Sequence, residues 1–344
     1  MKQEEPISRT ETGVDAKLNI RILTDVEEPR VAEEWRRRTE LWPKRRRERR
    51  IFHCLIQAIK ILRLRRQYDI MVFDSEMLGN MVSLLSAFLP DKTPILMLDC
   101  LWEHPRNRLH LMLKRMQFRL QARTVRRFIV WAVHEMRDFS ETFSLPVDMF
   151  QFIPFHHSLE GFHFEVSEGD YIFSGGDTDR DYRCLLQAVS GLDVKVRIAT
   201  RWKDWNEGAD IPACVEAGGT SPEDFRQLMA GAKIVVLPMR RGKLRSAGQQ
   251  TFLNAMAMGK PVVVADDKGA GDYIDSGSNG IIVPSGNAEA MRTAIRSLLD
   301  NPDHARHMGA RAREVYEKFS TTVCMQRVLS AAEEIAGEGR GRNA

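Results

Sequence analysis

The chain has 344 residues, 43% hydrophobic and 28% charged, which is material for about two globular domains at roughly 100–200 residues each and too apolar for a disordered chain. No apolar run approaches the roughly 18 residues of a membrane-spanning helix, and the start, Met1-Lys2-Gln3-Glu4-Glu5-Pro6, lacks a signal-peptide core, so a cytoplasmic protein is expected. The formal charge of +4 divides unevenly: residues 1–150 hold 28 Lys and Arg against 21 Asp and Glu, net +7, and the remainder is net −3. Five cysteines, Cys54, Cys100, Cys184, Cys214 and Cys324, are scattered and never form a C-x-x-C pair, which indicates neither a disulfide framework nor a zinc site.

In chain order, residues 1–16 are polar and aperiodic and read as a flexible tail. An alternating run at 18–24 predicts the first strand, and short apolar runs at 70–73, 95–98, 128–131 and 150–153 recur between helical patterns. A stretch rich in Pro, Gly and His (154–169) marks a domain boundary. A second series follows at 171–173, 194–198, 234–237, 261–264 and 280–283, with helices predicted at 182–190, 222–230, 248–258 and 287–299. Strands alternating with helices imply two doubly wound α/β domains, 17–155 and 156–320, facing a central cleft. A helical tail is predicted at 303–336, broken near Phe319-Ser320-Thr321, with residues 321–344 forming a helix that crosses back to the N-terminal domain and ends in a tail.

The most informative segment begins at Leu237-Pro238. A buried strand ends there, a basic loop follows with Arg240, Arg241, Lys243 and Arg245, and a helix opens near Ser246, Gly248 and Gln249 before Gly259. Backbone N–H groups and the positive dipole end of such a helix suit a phosphate, and Gly248 permits close approach to the backbone. The alternative is a solvated basic loop capped by Ser246. A second glycine turn, Ser174-Gly175-Gly176-Asp177, lies between the first strand and first helix of the second domain. By the switch-point rule both loops border one cleft. G-x-G-x-x-G is absent, so no dinucleotide cofactor is expected.

From about residue 171 to 320 the chain resembles the nucleotide-sugar-binding domain of group 1 (family 4-like) glycosyltransferases, which have the GT-B fold of two Rossmann-like domains. The resemblance is carried by the glycine turn with Arg180 ahead of Leu185-Leu186-Gln187-Ala188, by Val235-Val236-Leu237-Pro238, by Asn254-Ala255-Met256-Ala257-Met258-Gly259-Lys260-Pro261-Val262-Val263, and by Gly277-Ser278-Asn279-Gly280-Ile281-Ile282-Val283. It implies a metal-independent, retaining hexosyltransferase without a cofactor, using a UDP-sugar or GDP-sugar. By position Arg180 contacts the diphosphate, with Lys243 or Arg245 as companion charge; Gly175, Gly176, Arg240, Ser246, Gly248, Gln249, Thr251 and Asn254 complete the expected donor site. The family's Glu-x7-Glu falls here on Ser246 and Asn254, whose hydroxyl and amide can still bond a sugar or ribose.

The N-terminal half resembles the family in outline only and lacks a glycine-rich loop after its first strand, where Thr24-Asp25-Val26-Glu27-Glu28-Pro29 stands. Asp99, at a strand end, is a candidate general base or a turn residue, and Glu103 and His104 follow as further catalytic candidates. Asp74 is read as a helix cap, and His156 and His157 as hinge or cleft contacts. Two basic stretches, 44–66 (from Lys44 to Arg66) and 106–127 (from Arg106 to Arg127), carry apolar stripes: Phe52, Leu55, Ile56, Ile59 and Leu62 on the first, Leu109, Met112, Leu113, Met116 and Leu120 on the second. These stripes either pack on the sheet with the arginines in solvent, or present an anionic membrane with a monotopic surface. The second reading points to an acceptor that is a lipid-linked saccharide, glycolipid or polysaccharide precursor, handled by a peripheral protein on the inner membrane face. A non-catalytic GT-B subunit that scaffolds a partner enzyme is the alternative, and nucleic acid is not an expected partner.

Overall fold

The computed structural model describes residues 20–27, 32–42, 51–74, 76–90, 92–98, 103–266 and 268–341. The N-terminal half runs β1 (Ile22–Thr24), α1 (Glu33–Arg38), β2 (Thr39–Leu41), α2 (Ile51–Leu64), β3 (Ile70–Phe73) and α3 (Glu76–Ser86). It continues through β4 (Ile95–Met97), α4 (Arg108–Gln121), β5 (Val125–Val130), α5 (Val133–Phe143) and β6 (Phe150–Phe152). The C-terminal half starts with β7 (Tyr171–Gly175), α6 (Tyr182–Val189), β8 (Lys195–Ala199), β9 (Val215–Gly218), α7 (Pro222–Ala230) and β10 (Ile234–Pro238). Then come α8 (Gln249–Ala257), β11 (Val262–Ala265), β12 (Ile281–Val283), α9 (Ala288–Leu299), α10 (Pro302–Ala312), α11 (Val315–Lys318) and α12 (Thr321–Gly341).

Each half builds one six-stranded sheet, ordered β2-β1-β3-β4-β5-β6 and β12-β11-β10-β7-β8-β9, and every pairing is parallel. Helices cover both faces of a parallel sheet, so its inner strands read as unbroken apolar runs; Ile70, Met71, Val72 and Phe73 of β3 and Ile234, Val235, Val236 and Leu237 of β10 are all fully buried. β2 and β9 escape the sequence reading for the converse reason. They lie at sheet edges, and Thr39-Glu40-Leu41 and Val215-Glu216-Ala217-Gly218 are mostly solvent-facing. In both sheets the switch in strand order falls between the first strand of the half and its neighbour, so the loops after β7 and β10 open side by side.

α12 lies on the N-terminal sheet, where Cys324, Met325, Val328 and Leu329 pack with Ile22, Ile70, Val72 and Leu96. Ion pairs from Arg38 to Glu333 (2.7 Å) and from Arg127 to Glu334 (3.2 Å) flank this contact.

Most of the apolar stripes of α2 and α4 do not pack on the sheet as one of the two readings requires, although Leu62 does and Leu55 and Leu120 are half-buried. α2 buries a different stripe, Cys54, Gln57, Ala58 and Ile61, together with Leu62, at the spacing of one helical face. That leaves Phe52 74% exposed, with Ile56 and Ile59 also exposed. α4 buries Phe118 and Gln121 near its C-terminal end, and Leu109 (62% exposed), Met112, Leu113 and Met116 face solvent. The part of the first basic stretch at 44–50 lies outside the described residues, as does the tail at 1–16.

Candidate active site

At the carboxyl end of β7 the chain turns at Gly176, whose φ of +112° favours glycine and where a Cβ would stand 2.8 Å from the Arg180 guanidinium. Arg180 is 3% exposed. Its Nε donates to the Gly175 carbonyl (3.0 Å), Nη1 to the Thr178 carbonyl (2.7 Å) and Nη2 to the Thr251 hydroxyl (3.2 Å). Burial lowers its pKa from the ordinary arginine value, with Tyr182, Asp179 and Asp177 opposing. Arg180 is therefore buried beneath the glycine turn, which it stakes to α8, and does not project as an open phosphate ligand.

The turn after β7 and the loop after β10 are sewn together. Asp181 N–H donates to the Pro238 carbonyl (2.6 Å) and Arg240 N–H to the Asp179 carbonyl (2.9 Å). The loop cations are partly compensated: Asp179 pairs with Lys243 (2.6 Å) and Arg245 (3.6 Å), Arg240 pairs with Glu207 and stacks over Trp202 (5.2 Å), and Arg241 donates to the Ser285 carbonyl (2.8 Å). Lys243 keeps 45% of its side chain in solvent.

α8 starts at Gly248, which has a φ of +87° and no side-chain cap. The first N–H groups of a helix have no intrahelical acceptor, so this uncapped start offers them to an anion. Ser246 is not the cap that one sequence reading assigns. Its N–H and hydroxyl both donate to Glu135 Oε1, at 2.7 and 2.9 Å, and its Oγ accepts from Gln249 Nε2 at 2.6 Å. Asn254, on the same helix, is 6% exposed and bonds the interdomain linker: Ser158 N–H donates to Oδ1 (2.8 Å) and Nδ2 donates to Ser158 Oγ (3.2 Å).

Three adjoining cavities result. One of about 400 Å³ lies between the turn and α8 and is lined by Gly176, Thr178, Thr200, Phe225, Thr251 and Asn254, among others. One of about 160 Å³ lies in the cleft, where His104 and His134 face Ser246, Ala247, Asp266 and Lys268. The third, about 350 Å³, joins Glu103 and His104 to Lys243 and Arg245. The structure thus brings Glu103 and His104 to the basic loop, while Asp99 lies outside the described residues. His156 and His157 sit in the linker against the start of α12; His157 is fully buried, its Nε2 2.8 Å from the Tyr316 carbonyl, and the Thr321 hydroxyl donates to the His157 carbonyl (3.1 Å). The backbone N–H of Asp74 donates to the buried Asp25 (2.8 Å).

Sequence reasoning missed His134, Glu135, Asp179, Asp266 and Lys268. The first two follow β5 directly, so the rule that ligands gather beyond strand ends could have flagged them. His134 lines the cleft, and its Nδ1 has no hydrogen-bond partner among the described residues. Burial lowers its pKa, which keeps the imidazole neutral at pH 7 and able to accept a proton. Among the described residues no cluster of His, Cys, Asp or Glu has the makings of a metal site.

Residues 200–315 match the family described as glycosyl transferases group 1. The Anabaena protein HepE, solved in complex with UDP-glucose, superposes with a TM-score of 0.67 at 14% identity, over 91% of this chain and 99% of that one. The chain has the GT-B fold, with the group 1 glycosyltransferase signature in its C-terminal domain. A glycosyltransferase from Rickettsia africae gives a TM-score of 0.63 at 15% identity, over 92% of this chain and 89% of its own. Among curated proteins, an uncharacterized glycosyltransferase of Methanocaldococcus jannaschii is 24% identical over 49% of this chain. The alpha-D-kanosaminyltransferase of Streptomyces kanamyceticus is 32% identical over 34% of it. The matched segments span half or less of those curated relatives, 50% and 30% of their lengths. The GT-B fold and the group 1 signature agree with the resemblance read from the glycine turn and the 254–263 segment.

Proposed function

We propose that this protein is a glycosyltransferase that moves a hexose from a nucleoside-diphosphate sugar to a hydroxyl of a lipid-linked saccharide, glycolipid or polysaccharide precursor. The observation that carries the reading is the pair of cavities on either side of the glycine-initiated start of α8, one bordered by Lys243, Arg245, Ser246 and Ala247 and the other by Gln250, Thr251 and Asn254. The nucleoside would lie in the 400 Å³ cavity and the diphosphate at the α8 start, with the sugar in the cleft. In the transfer, the acceptor oxygen bonds the anomeric carbon as the bond from that carbon to the diphosphate oxygen breaks. The bond's electron pair leaves with the nucleoside diphosphate, and the acceptor's proton passes to that departing diphosphate. Lys243, Arg245 and the helix start stabilise the negative charge that grows on the leaving group. Glu103, His104 and His134 line the N-terminal side of the cleft, where an acceptor hydroxyl would approach.

Support for a lipid-linked acceptor comes from α2 and α4. Their exposed Phe52, Ile59, Leu109, Met112 and Met116 share these helices with Lys60, Arg63, Arg108, Arg115 and Arg119, an apolar surface within a basic one. Each basic residue near an anionic leaflet contributes about 1 kcal/mol, and apolar side chains add their burial. No helix of the described residues is long and apolar enough to cross a membrane, so attachment would be peripheral.

The test is release of UDP or GDP from a panel of nucleotide sugars in the presence of membrane extract, followed by the anomeric configuration of the product and its persistence in chelator. Turnover with retention in chelator is expected; no turnover together with no nucleotide binding would overturn the reading. Flotation should show binding to anionic vesicles and weaker binding to neutral ones, reduced further in a Phe52→Ser, Met112→Ser protein.

A further inference from the structure

The basic loop between β10 and α8 belongs to the C-terminal domain by sequence, yet it is anchored in the N-terminal one. Leu244 is 5% exposed and joins the N-terminal core with Phe73, Leu78, Phe139 and Phe150. Two residues on, Ser246 bonds Glu135 of α5 through both its backbone N–H and its hydroxyl. Glu135 is 3% exposed and its other oxygen accepts from the N–H groups of Trp131 (2.9 Å) and Ala132 (3.1 Å), so one carboxylate ties the start of α5 to the entry of α8. Gly269 packs against the same point, where an added Cβ would stand 2.7 Å from the Cβ of Ser246.

We infer that Glu135 is a positioning residue for the nucleotide-sugar site: the N-terminal domain, through Glu135 and Ser246, sets the conformation in which the α8 start receives the diphosphate. The relay is short. Glu135 fixes Ser246, Ser246 Oγ accepts from Gln249, and Gln249 is the first residue of α8 after Gly248. Nucleotide binding in one domain is thereby coupled to the seating of the other, and the coupling is reciprocal, since a ligand that requires this loop conformation also favours the Glu135–Ser246 contact. The inference rests on the donor-site reading for its ligand, but its structural half stands apart from it.

A carboxylate is required because all four partners donate. Glutamine at 135 replaces one acceptor oxygen with an N–H donor. Facing Trp131 and Ala132 it would meet two backbone N–H groups that cannot turn away; facing Ser246 it meets one N–H and a hydroxyl that can rotate to accept. Glu135→Gln should therefore keep the α5 contacts and break the Ser246 N–H bond.

The experiment measures hydrogen exchange in peptides covering 240–252 and 131–143, with calorimetric titration of UDP and GDP, on the wild type, Glu135→Gln and Ser246→Ala proteins. The second variant leaves the bonds from Trp131 and Ala132 to Glu135 in place and guards against misfolding of the first. Expected are faster exchange at 240–252 with 131–143 still protected, and an affinity loss of about tenfold in Glu135→Gln, in keeping with the loss of a charge-assisted hydrogen bond. Ser246→Ala should shift both readouts in the same direction by less. Unchanged exchange at 240–252, or wild-type nucleotide affinity in a folded Glu135→Gln protein, would overturn the inference. Failure of the wild type to bind either nucleotide would sink the donor-site reading instead, and the exchange measurement would still decide whether Glu135 orders the loop.

Discussion

Asn254 holds Ser158 at both ends of its amide, Oδ1 accepting the Ser158 N–H at 2.8 Å and Nδ2 donating to its hydroxyl at 3.2 Å. The residue that the family resemblance places on a ribose fastens α8 to the interdomain linker. Asn254→Asp keeps both bonds, because a carboxylate accepts from the N–H and from the hydroxyl, whereas Asn254→Ala leaves a partly buried N–H without its acceptor. Chemical denaturation should show a loss of about 1–3 kcal/mol for the alanine protein and a much smaller one for the aspartate.

Arg180 gives a contrasting expectation for a buried cation. Removing its guanidinium strands the carbonyls of Gly175 and Thr178 and the Thr251 hydroxyl, which its Nε, Nη1 and Nη2 now satisfy. Arg180→Ala should lower both melting temperature and nucleotide affinity. Arg180→Lys should restore neither in full, since one ammonium cannot reproduce three directions of a planar fork. An alanine protein with unchanged melting temperature would show that these bonds contribute nothing to the turn.

At Gly248 the φ of +87° and the Met239 sulfur, 3.0 Å from where a Cβ would sit, both resist a side chain. A left-handed conformation costs a non-glycine residue roughly 1–2 kcal/mol. Gly248→Ala should weaken nucleotide binding about tenfold or more in calorimetry while leaving the sheets intact by circular dichroism.

Lys260 is buried, with Nζ donating to the carbonyls of Ser167 (2.6 Å) and Ala232 (2.8 Å), and burial lowers its pKa from 10.5 to about 8. The folded chain then binds fewer protons at this site than the unfolded chain between those two values, so this group's contribution to stability rises as pH increases from about 8 toward 10.5. Relative to Lys260→Met, the wild type should gain stability over that interval. Denaturation midpoints of the two proteins at pH 7 and pH 10 measure the difference, and a wild type that loses stability relative to Lys260→Met as pH rises would contradict the sign.

The parallel strands were readable wherever they lie inside a sheet, because burial on both faces demands runs such as Ile70-Met71-Val72-Phe73. The edge strand Thr39–Leu41 carries no such signature and is set by its partner Ile22–Thr24. The two glycine loops were readable too, since positive φ at Gly176 and Gly248 selects for glycine regardless of context. The role of Ser246 was not, because its acceptor Glu135 lies 111 residues away in the other domain. Nor could helical spacing decide the fate of Phe52 and Ile59: α2 is apolar on two faces, and only packing chose Cys54, Ala58 and Ile61 as the inner one.

The docking of α12 on the N-terminal sheet bears on how the chain is made. Val328, Leu329, Ala332 and Ile335 complete the core that holds Ile22, Val72 and Leu96. A ribosome delivers these partners hundreds of residues after β1 and β3, so the N-terminal sheet waits with an apolar face uncovered until α12 has been made. The C-terminal core needs Ala312, Val315 and Phe319, made just before α12, so both cores become complete at nearly the same stage of synthesis. Nascent chains stalled before residue 321 should be the species that chaperones retain.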